Sequence, residues 1–590
     1  MDGRLALRLD RLRGCGYGRD VTGPDAPPPP TPAPLPDQPG ADAPAADNPI
    51  SDVATAAAAA PRSGGLMRSS AIFAGLTLVS RIMGFVRDLA ITYTMGASAS
   101  VAADAYNTAL SFPNLFRRIF AEGAFAAAFV PAYAKKLKAE GEEPADELAA
   151  DAMASLAAAT IVLTLVAQLL MPWLMYLIAP GFAADPAKFK LAVVLTQITM
   201  PYLPCMAIYA HLSGVLQARG RFIVSAFAPT LLNVGMLIAV LPQKTPVGAA
   251  VAASWGVLGA GVAQAALLWW GVRKSGARVD LRWPRLTPEI RGLVALAVPG
   301  AIAASATQIN VFISGVLASQ VNGARSWLAV ADRLYQLPLG LVGVAIGVAL
   351  LPRLSTAVQA EDRREAQVAT DEAITLALAF ALPAAAALAA MPYFLIDALF
   401  TRGEFTHADA VATSRALFHY GWGTPAFVLT RVLAPAFFAR GDTKSPMRFA
   451  LVSVAIQIGL GVSLFHLVGF EGIAAATAVA SWINVIQMYL ALSRQGTYRM
   501  SRSATVRVTK IVMASVALGL ILAAASALRP AYEPFLWRKE IAVLAVVAVG
   551  TLVYGALLLT LRAVRPADLR LAMRRPPRRA GGGSEPPDFT

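Results

Sequence analysis

From residue 68 to residue 562 the chain repeats one compositional theme: apolar stretches rich in Ala, Leu, Val and Ile, separated by short polar loops. About 20 apolar residues in a helix cross the hydrocarbon of a bilayer. Fourteen stretches satisfy this, near 68–95, 103–134, 150–179, 190–217, 222–241, 247–271, 289–318, 326–352, 371–400, 409–438, 446–467, 471–492, 506–528 and 540–562. In lipid every backbone donor and acceptor must be satisfied within the segment, so such stretches become helices. The expected fold is an all-α polytopic membrane protein.

Charge supports that class. Only 15 % of the 590 residues are Asp, Glu, Lys or Arg, against about 25 % in soluble domains. This excludes a soluble multi-domain enzyme, a disordered chain and a fibrous one. The formal net charge of +15 does not point to nucleic acid, because the basic residues lie in short loops between apolar runs. With a cytoplasmic N-terminus, the inside loops and the tail to Arg579 carry 29 Lys and Arg, and the outside loops carry 8. That bias follows the positive-inside rule and places both termini in the cytoplasm.

Residues 1–66 contain 12 of the 40 Pro and few large apolar side chains, which reads as a disordered cytoplasmic extension. No apolar run follows its charged start as in a signal peptide, and Met67 is a candidate start of the functional chain. Residues 563–590 read as a basic cytoplasmic tail.

Enzymatic and metal chemistry find little support. Cys15 and Cys205 are too few for a cysteine-based metal site, and the four His show no paired spacing. No GxxxxGK[ST] loop occurs, and GVLGAG at 256–261 lies inside an apolar stretch. No cofactor is expected.

The charges left inside the apolar stretches are more informative. The first holds Arg81, Arg87 and Asp88, the second Asp104, Arg117, Arg118 and Glu122, and the eighth Asp332 and Arg333. Arg118 and Glu122, four apart, are placed to pair along a helix. An intramembrane charge costs at least ~2.5–3.5 kcal/mol, so these groups must face one another or a hydrated cavity. Arg81, Arg117 and Arg333, from separate helices, form a plausible anion site, since guanidinium forks match phosphate oxygens. Asp104 and Asp332 are candidates for holding arginines in the empty state or for proton coupling. Asn233, Gln308, Asn310 and Asn484 read as hydrogen-bonders between helices. Frequent Pro residues, Pro113, Pro172, Pro201, Pro383 and Pro392 among them, favour bent helices around a cavity.

Five runs carry a family resemblance: SRIMGFVRD (80–88), DAY (104–106), PNLFRRIFAEGAFAAAFVP (113–131), ADRLYQLPLG (331–340) and ARGDTKSP (439–446). In order and spacing they resemble the MurJ/MviN family of lipid II flippases, within the multidrug/oligosaccharidyl-lipid/polysaccharide exporter superfamily, over essentially 67–562. The resemblance implies transport of the undecaprenyl-pyrophosphate-linked peptidoglycan precursor across the bacterial cytoplasmic membrane. It implies two six-helix bundles, 67–271 and 272–492, rocking about a central cavity, with two appended helices at 493–562 whose groove takes the polyprenyl tail. Substrate would meet Arg81, Arg87, Arg117 and Arg333, with Asp88, Asp104, Arg118, Glu122 and Asp332 in supporting or coupling roles. Lipid II and peptidoglycan-synthesis proteins are the implied partners, and membrane potential or an ion gradient the implied drive. An exporter of another polyprenyl-linked glycan or of a drug shares this architecture, and a membrane scaffold is a third reading. Clustered arginines argue against cationic drugs.

Overall fold

The computed structural model describes residues 64–116, 125–536 and 538–563. The extension up to residue 63, the tail from 564, and the 117–124 segment bearing Arg117, Arg118 and Glu122 lie outside the described residues. No strand occurs among the described residues. The helices are α1 (Gly64–Met95), α2 (Ala102–Phe116), α3 (Phe125–Ala139), α4 (Glu142–Ile178), α5 (Pro186–Thr199), α6 (Tyr202–Ala218), α7 (Ile223–Val240), α8 (Pro246–Lys274) and α9 (Pro288–Ala318). They continue as α10 (Ala324–Gln359), α11 (Arg363–Ala390), α12 (Pro392–Phe400), α13 (His407–Phe438), α14 (Lys444–Val468), α15 (Glu471–Arg494), α16 (Arg502–Ala527), the short α17 (Arg529–Tyr532) and α18 (Lys539–Thr560).

Among the described residues, the apolar stretches fall on these helices, two of them on a broken pair. The breaks have local causes. Pro201 separates α5 from α6 and Pro392 separates α11 from α12, because proline offers no donor to the preceding turn. Pro172, Pro383 and Pro425 are instead absorbed inside α4, α11 and α13. Nine helical stretches among the described residues combine the length and the apolar composition to cross a bilayer. The helices bearing Arg81, Arg87 and Asp88, and Arg431, are not among them, since those charges and their polar neighbours interrupt the run.

Starts and stops follow the sequence. Asp185, Thr245, Thr287, Asp362 and Ser501 accept hydrogen bonds from the first-turn amides of α5, α8, α9, α11 and α16, satisfying donors that a helix leaves open. Gly220 and Gly441, both after an Arg at the end of α6 and α13, take φ of 71° and 73°. That left-handed turn, favourable to glycine, recurs at the same place in each half of the chain.

Two apolar cores draw on residues 95–293 and three draw almost entirely on 317–563. Alanines permit close approach in the second set: Ala474, Ala476, Ala478 and Ala480 of α15 are all buried, and a side-chain carbon added at Gly472 would stand 2.5 Å from the Leu464 carbonyl carbon of α14. In lipid, where apolar burial gives little drive, such small-residue contact carries helix association. The outer surface exposes Leu169, Trp173, Leu520 and Leu552, as a bilayer-facing wall does.

The pair α16 and α18 is fastened to the second half. Asp397 of α12, 2 % exposed, binds Arg529 and lies 3.4 Å from Lys539 Nζ. Tyr554 donates from its hydroxyl to the Ala379 carbonyl of α11 at 2.8 Å.

Candidate functional site

The arginine cluster is built where α1 meets α10. Arg87 donates to Asp88 Oδ1 through Nη2 at 2.7 Å and Nε at 3.0 Å, and to Asn233 Oδ1 of α7 at 2.9 Å. Asn233 in turn donates to the Ser80 carbonyl at 2.9 Å, the interhelix role expected of it. The second oxygen of Asp88 reaches Arg333 Nε of α10 at 3.0 Å. One carboxylate thus joins two arginines from opposite halves of the chain. Its side chain is 17 % exposed and that of Arg333 is 50 % exposed, so Arg333 keeps much of its guanidinium available to a ligand.

Arg81, two turns before Asp88 on the same face of α1, is exposed and lays its guanidinium against α10 at Gly340. A Cβ there would stand 2.0 Å from Arg81 Nη1. Arg333 and Gly340 are seven residues apart on α10 and so share a face. Arg431 of α13 is also exposed and lies within electrostatic range of Arg81 and of Tyr335. Asp332 accepts from Gln336 one turn on and neighbours Tyr335 and Tyr420. Three cations with accessible surface, Arg81, Arg333 and Arg431, therefore converge from three helices, while Asp88 neutralises only part of the charge. Such a cluster attracts an anion with several oxygens.

Asp104 belongs elsewhere. Fully buried at the start of α2, it binds Lys188 Nζ of α5 at 2.7 Å. It also accepts from the backbone of Gly323 at 2.8 Å and from Ser326 N and Oγ at 3.1 and 2.8 Å. It caps α10 from the other half of the chain, where a carboxylate is favoured by the free amides and the helix dipole. The expectation that Asp104 holds a cavity arginine is corrected: its cationic partner is Lys188. Arg325 crosses in the opposite direction, donating to Thr108 Oγ1 at 2.8 Å and to the Ile178 carbonyl at 2.6 Å. Asp409 of α13 accepts from Ser98 N at 3.1 Å and Trp327 Nε1 at 2.8 Å. Backbones touch as well, for a Cβ on Gly181 would stand 2.3 Å from the Ser319 carbonyl oxygen. These contacts seal the two halves together at the end carrying the α1–α2, α9–α10 and α12–α13 loops.

The structure thus gathers Arg81, Arg87, Asp88 and Arg333, with Asp332 one residue away, and sets Asp104 apart. Arg117, Arg118 and Glu122 are outside the described residues. Three charges escaped sequence reasoning. Arg431 interrupts FVLTRVLAP and carries the same signal that selected Arg81; Lys188 and Arg325 were counted with the outside loops and turn inward instead. Among the described residues no three His, Cys, Asp or Glu gather as metal ligands.

A sequence model of the family described as "Lipid II flippase MurJ" matches residues 91–540. The chain belongs to the MurJ family. Among similar members are a probable lipid II flippase MurJ of Rhizobium meliloti, 41 % identical over 463 residues, covering 78 % of this chain and 86 % of that one. A Lipid II flippase MurJ of Burkholderia cenocepacia is 35 % identical over 447 residues, covering 74 % and 85 %. In fold the chain resembles a solved lipid II flippase MurJ in an inward closed conformation, with TM-score 0.68 at 23 % identity over 85 % of this chain and 99 % of that one. An inward-facing multidrug resistance MATE transporter of the MOP superfamily has TM-score 0.58 at 15 % identity, covering 72 % and 97 %. MurJ family membership makes this a transporter-type, multi-pass protein of the bacterial inner membrane.

Proposed function

We propose that this MurJ family member carries lipid II from the inner to the outer leaflet by alternating access, without enzymatic turnover and without a bound cofactor. The observation that carries the reading is the bridge of Asp88 to Arg87 and Arg333, beside Arg81 and Arg431. Within one half, Arg87 is neutralised and fixed. Across the halves, Arg333 contacts one carboxylate among the described residues, through Nε, and half of its side chain is exposed, so a pyrophosphate displaces it at low cost. The incoming anion replaces repulsion among Arg81, Arg333 and Arg431 with attraction, lowering the cost of bringing the halves together on that side. Arg117 is the further expected contact. Rocking then parts the opposite end, where Asp104 and Asp409 hold the halves together, and the headgroup leaves there. With both termini cytoplasmic, the sealed end faces outward. Two bundles, 67–271 and 272–492, move, and the helices of 493–562 accompany the second.

Moving cationic sites through the membrane field is worth ~2.3 kcal/mol per charge per 100 mV, and the proposed drive is membrane potential or an ion gradient. The test is depletion of the native protein and complementation with Arg81→Ala, Arg333→Ala or Arg431→Ala at equal abundance, while measuring which leaflet exposes lipid II. The expected result is lipid II retained inside in each case. Full flipping by all three variants would overturn the site, and normal lipid II exposure on depletion would overturn the substrate.

A further inference from the structure

The last two turns of α8 and the strap that follows it form a surface unused by the transport site. Leu268, Gly271 and Val272 of α8 pack inward, whereas Trp270, Arg273 and Lys274 face outward. Together with Ala266 and Trp269 they line a cavity of about 540 Å³. Arg273 lies 5.5 Å over the Trp269 ring and Lys274 lies 4.4 Å over the Trp270 ring, and neither cation makes an ion pair among the described residues. The strap, 275–287, joins the two halves without regular structure. Its first part is pinned: Ala277 and Val279 are buried, and the Arg278 amide donates to Asp146 Oδ2 at 2.6 Å. Its second part exposes Leu281, Trp283 and Leu286 at 77 %, 87 % and 67 %, interleaved with Arg282 and Arg285.

Three large apolar side chains bared in an irregular strap are costly in water. Because the strap links the ends of two bilayer-length helices, it runs at the membrane surface, where tryptophan is favoured and basic residues meet lipid phosphates. We infer that this surface binds anionic phospholipid of the adjacent leaflet: Leu281, Trp283 and Leu286 enter the acyl boundary, and Arg273 and Lys274 hold a phosphate headgroup in the tryptophan-lined cavity. The occupant is chosen by charge, since the 273–291 stretch carries six Lys or Arg against Asp280 and Glu289. Of these cations Arg282 is paired, with Glu147 and Asp151 of α4, while Arg273 and Lys274 are not among the described residues' ion pairs. The proposal rests on the bilayer location of the chain and not on its substrate.

The test uses the full chain in vesicles of phosphatidylcholine, alone or mixed with phosphatidylglycerol, one lipid at a time carrying brominated acyl chains. Subtracting the fluorescence of Trp270→Phe and Trp283→Phe isolates those two reporters. Brominated phosphatidylglycerol is expected to quench both more strongly than brominated phosphatidylcholine. Arg273→Gln with Lys274→Gln should weaken the phosphatidylglycerol preference roughly fivefold per cation removed. Equal quenching by the two lipids would overturn the headgroup site, as would a preference unchanged in the double variant. Quenching of Trp283 by aqueous iodide but not by brominated lipid would place the strap in water, as for a soluble partner, and overturn the proposal entirely.

Discussion

Gly340 gives Arg81 its place. A methyl group there collides with Nη1, the movable end of a long side chain, so Gly340→Ala displaces the guanidinium without disturbing the helix. Alanine is favoured over glycine inside a helix by about 1 kcal/mol. Gly340→Ala should therefore leave the unfolding midpoint in detergent unchanged or slightly raised while lowering lipid II exposure in the leaflet assay several-fold. A variant that flips normally would show that the Arg81 position is unimportant. Asp88→Asn separates the halves at the site, because the amide cannot neutralise Arg87 and Arg333 together. With both arginines partly exposed, the stability loss should stay near 1–2 kcal/mol, discounted from the buried-pair range for solvent screening. Transport should fall far more than the unfolding midpoint does. At this scale a charge that interrupts an apolar run is the readable signal: it marks Arg81, Arg87, Asp88 and Arg333, and it marks Arg431 as well, which the sequence reading passed over. The Arg87–Asn233 contact joins residues 146 apart, and no spacing rule reveals a pairing made by tertiary packing.

Helices show the same division. Apolar length marked out the all-helical membrane architecture, with nine helical stretches among the described residues long and apolar enough to cross a bilayer, since a bilayer imposes a minimum run that loops rarely imitate. It did not show that Pro201 and Pro392 stand at helix breaks while Pro172 and Pro383 are carried within helices. Nor did it separate loops that stay in water from those that fold inward, which is why Lys188 and Arg325 were assigned to the outside count. Asp104→Asn tests the consequence for α10. It removes the partner of a buried lysine and a charged cap at once, with an expected cost of roughly 3–5 kcal/mol. The sealed end should loosen, and a cysteine introduced at the exposed Gln320 should react faster with an impermeant maleimide than in the parent chain; an unchanged rate would show that Asp104 does not hold the seal. For the appended pair, Asp397→Asn deprives both Arg529 and Lys539 of their buried carboxylate. A drop of roughly 3 kcal/mol should appear as a lower unfolding midpoint, with α16 and α18 becoming susceptible to proteolysis near residues 529–539 before the rest.

For the whole molecule, the central site and the sealed end impose different demands. The centre holds accessible arginines ready for an anion, and the far end holds charges that are paired and dry. The Lys188 and Asp104 side chains, both of the first bundle, are 5 % and 0 % exposed, and on the proposed cycle the pair must lose its partners from the second bundle, Asn322, Gly323 and Ser326, at every turnover. A buried ion pair stripped of its hydrogen-bond partners is costly unless water replaces them as they leave, so the passage over that barrier is a wetting event. Turnover should then slow when osmolytes lower water activity on the outer side, even with substrate saturating and membrane potential held constant. Lys188→Met together with Asp104→Leu should blunt that sensitivity by leaving nothing to hydrate. The rhythm of the transporter would be set by how readily a few water molecules enter one dry seam.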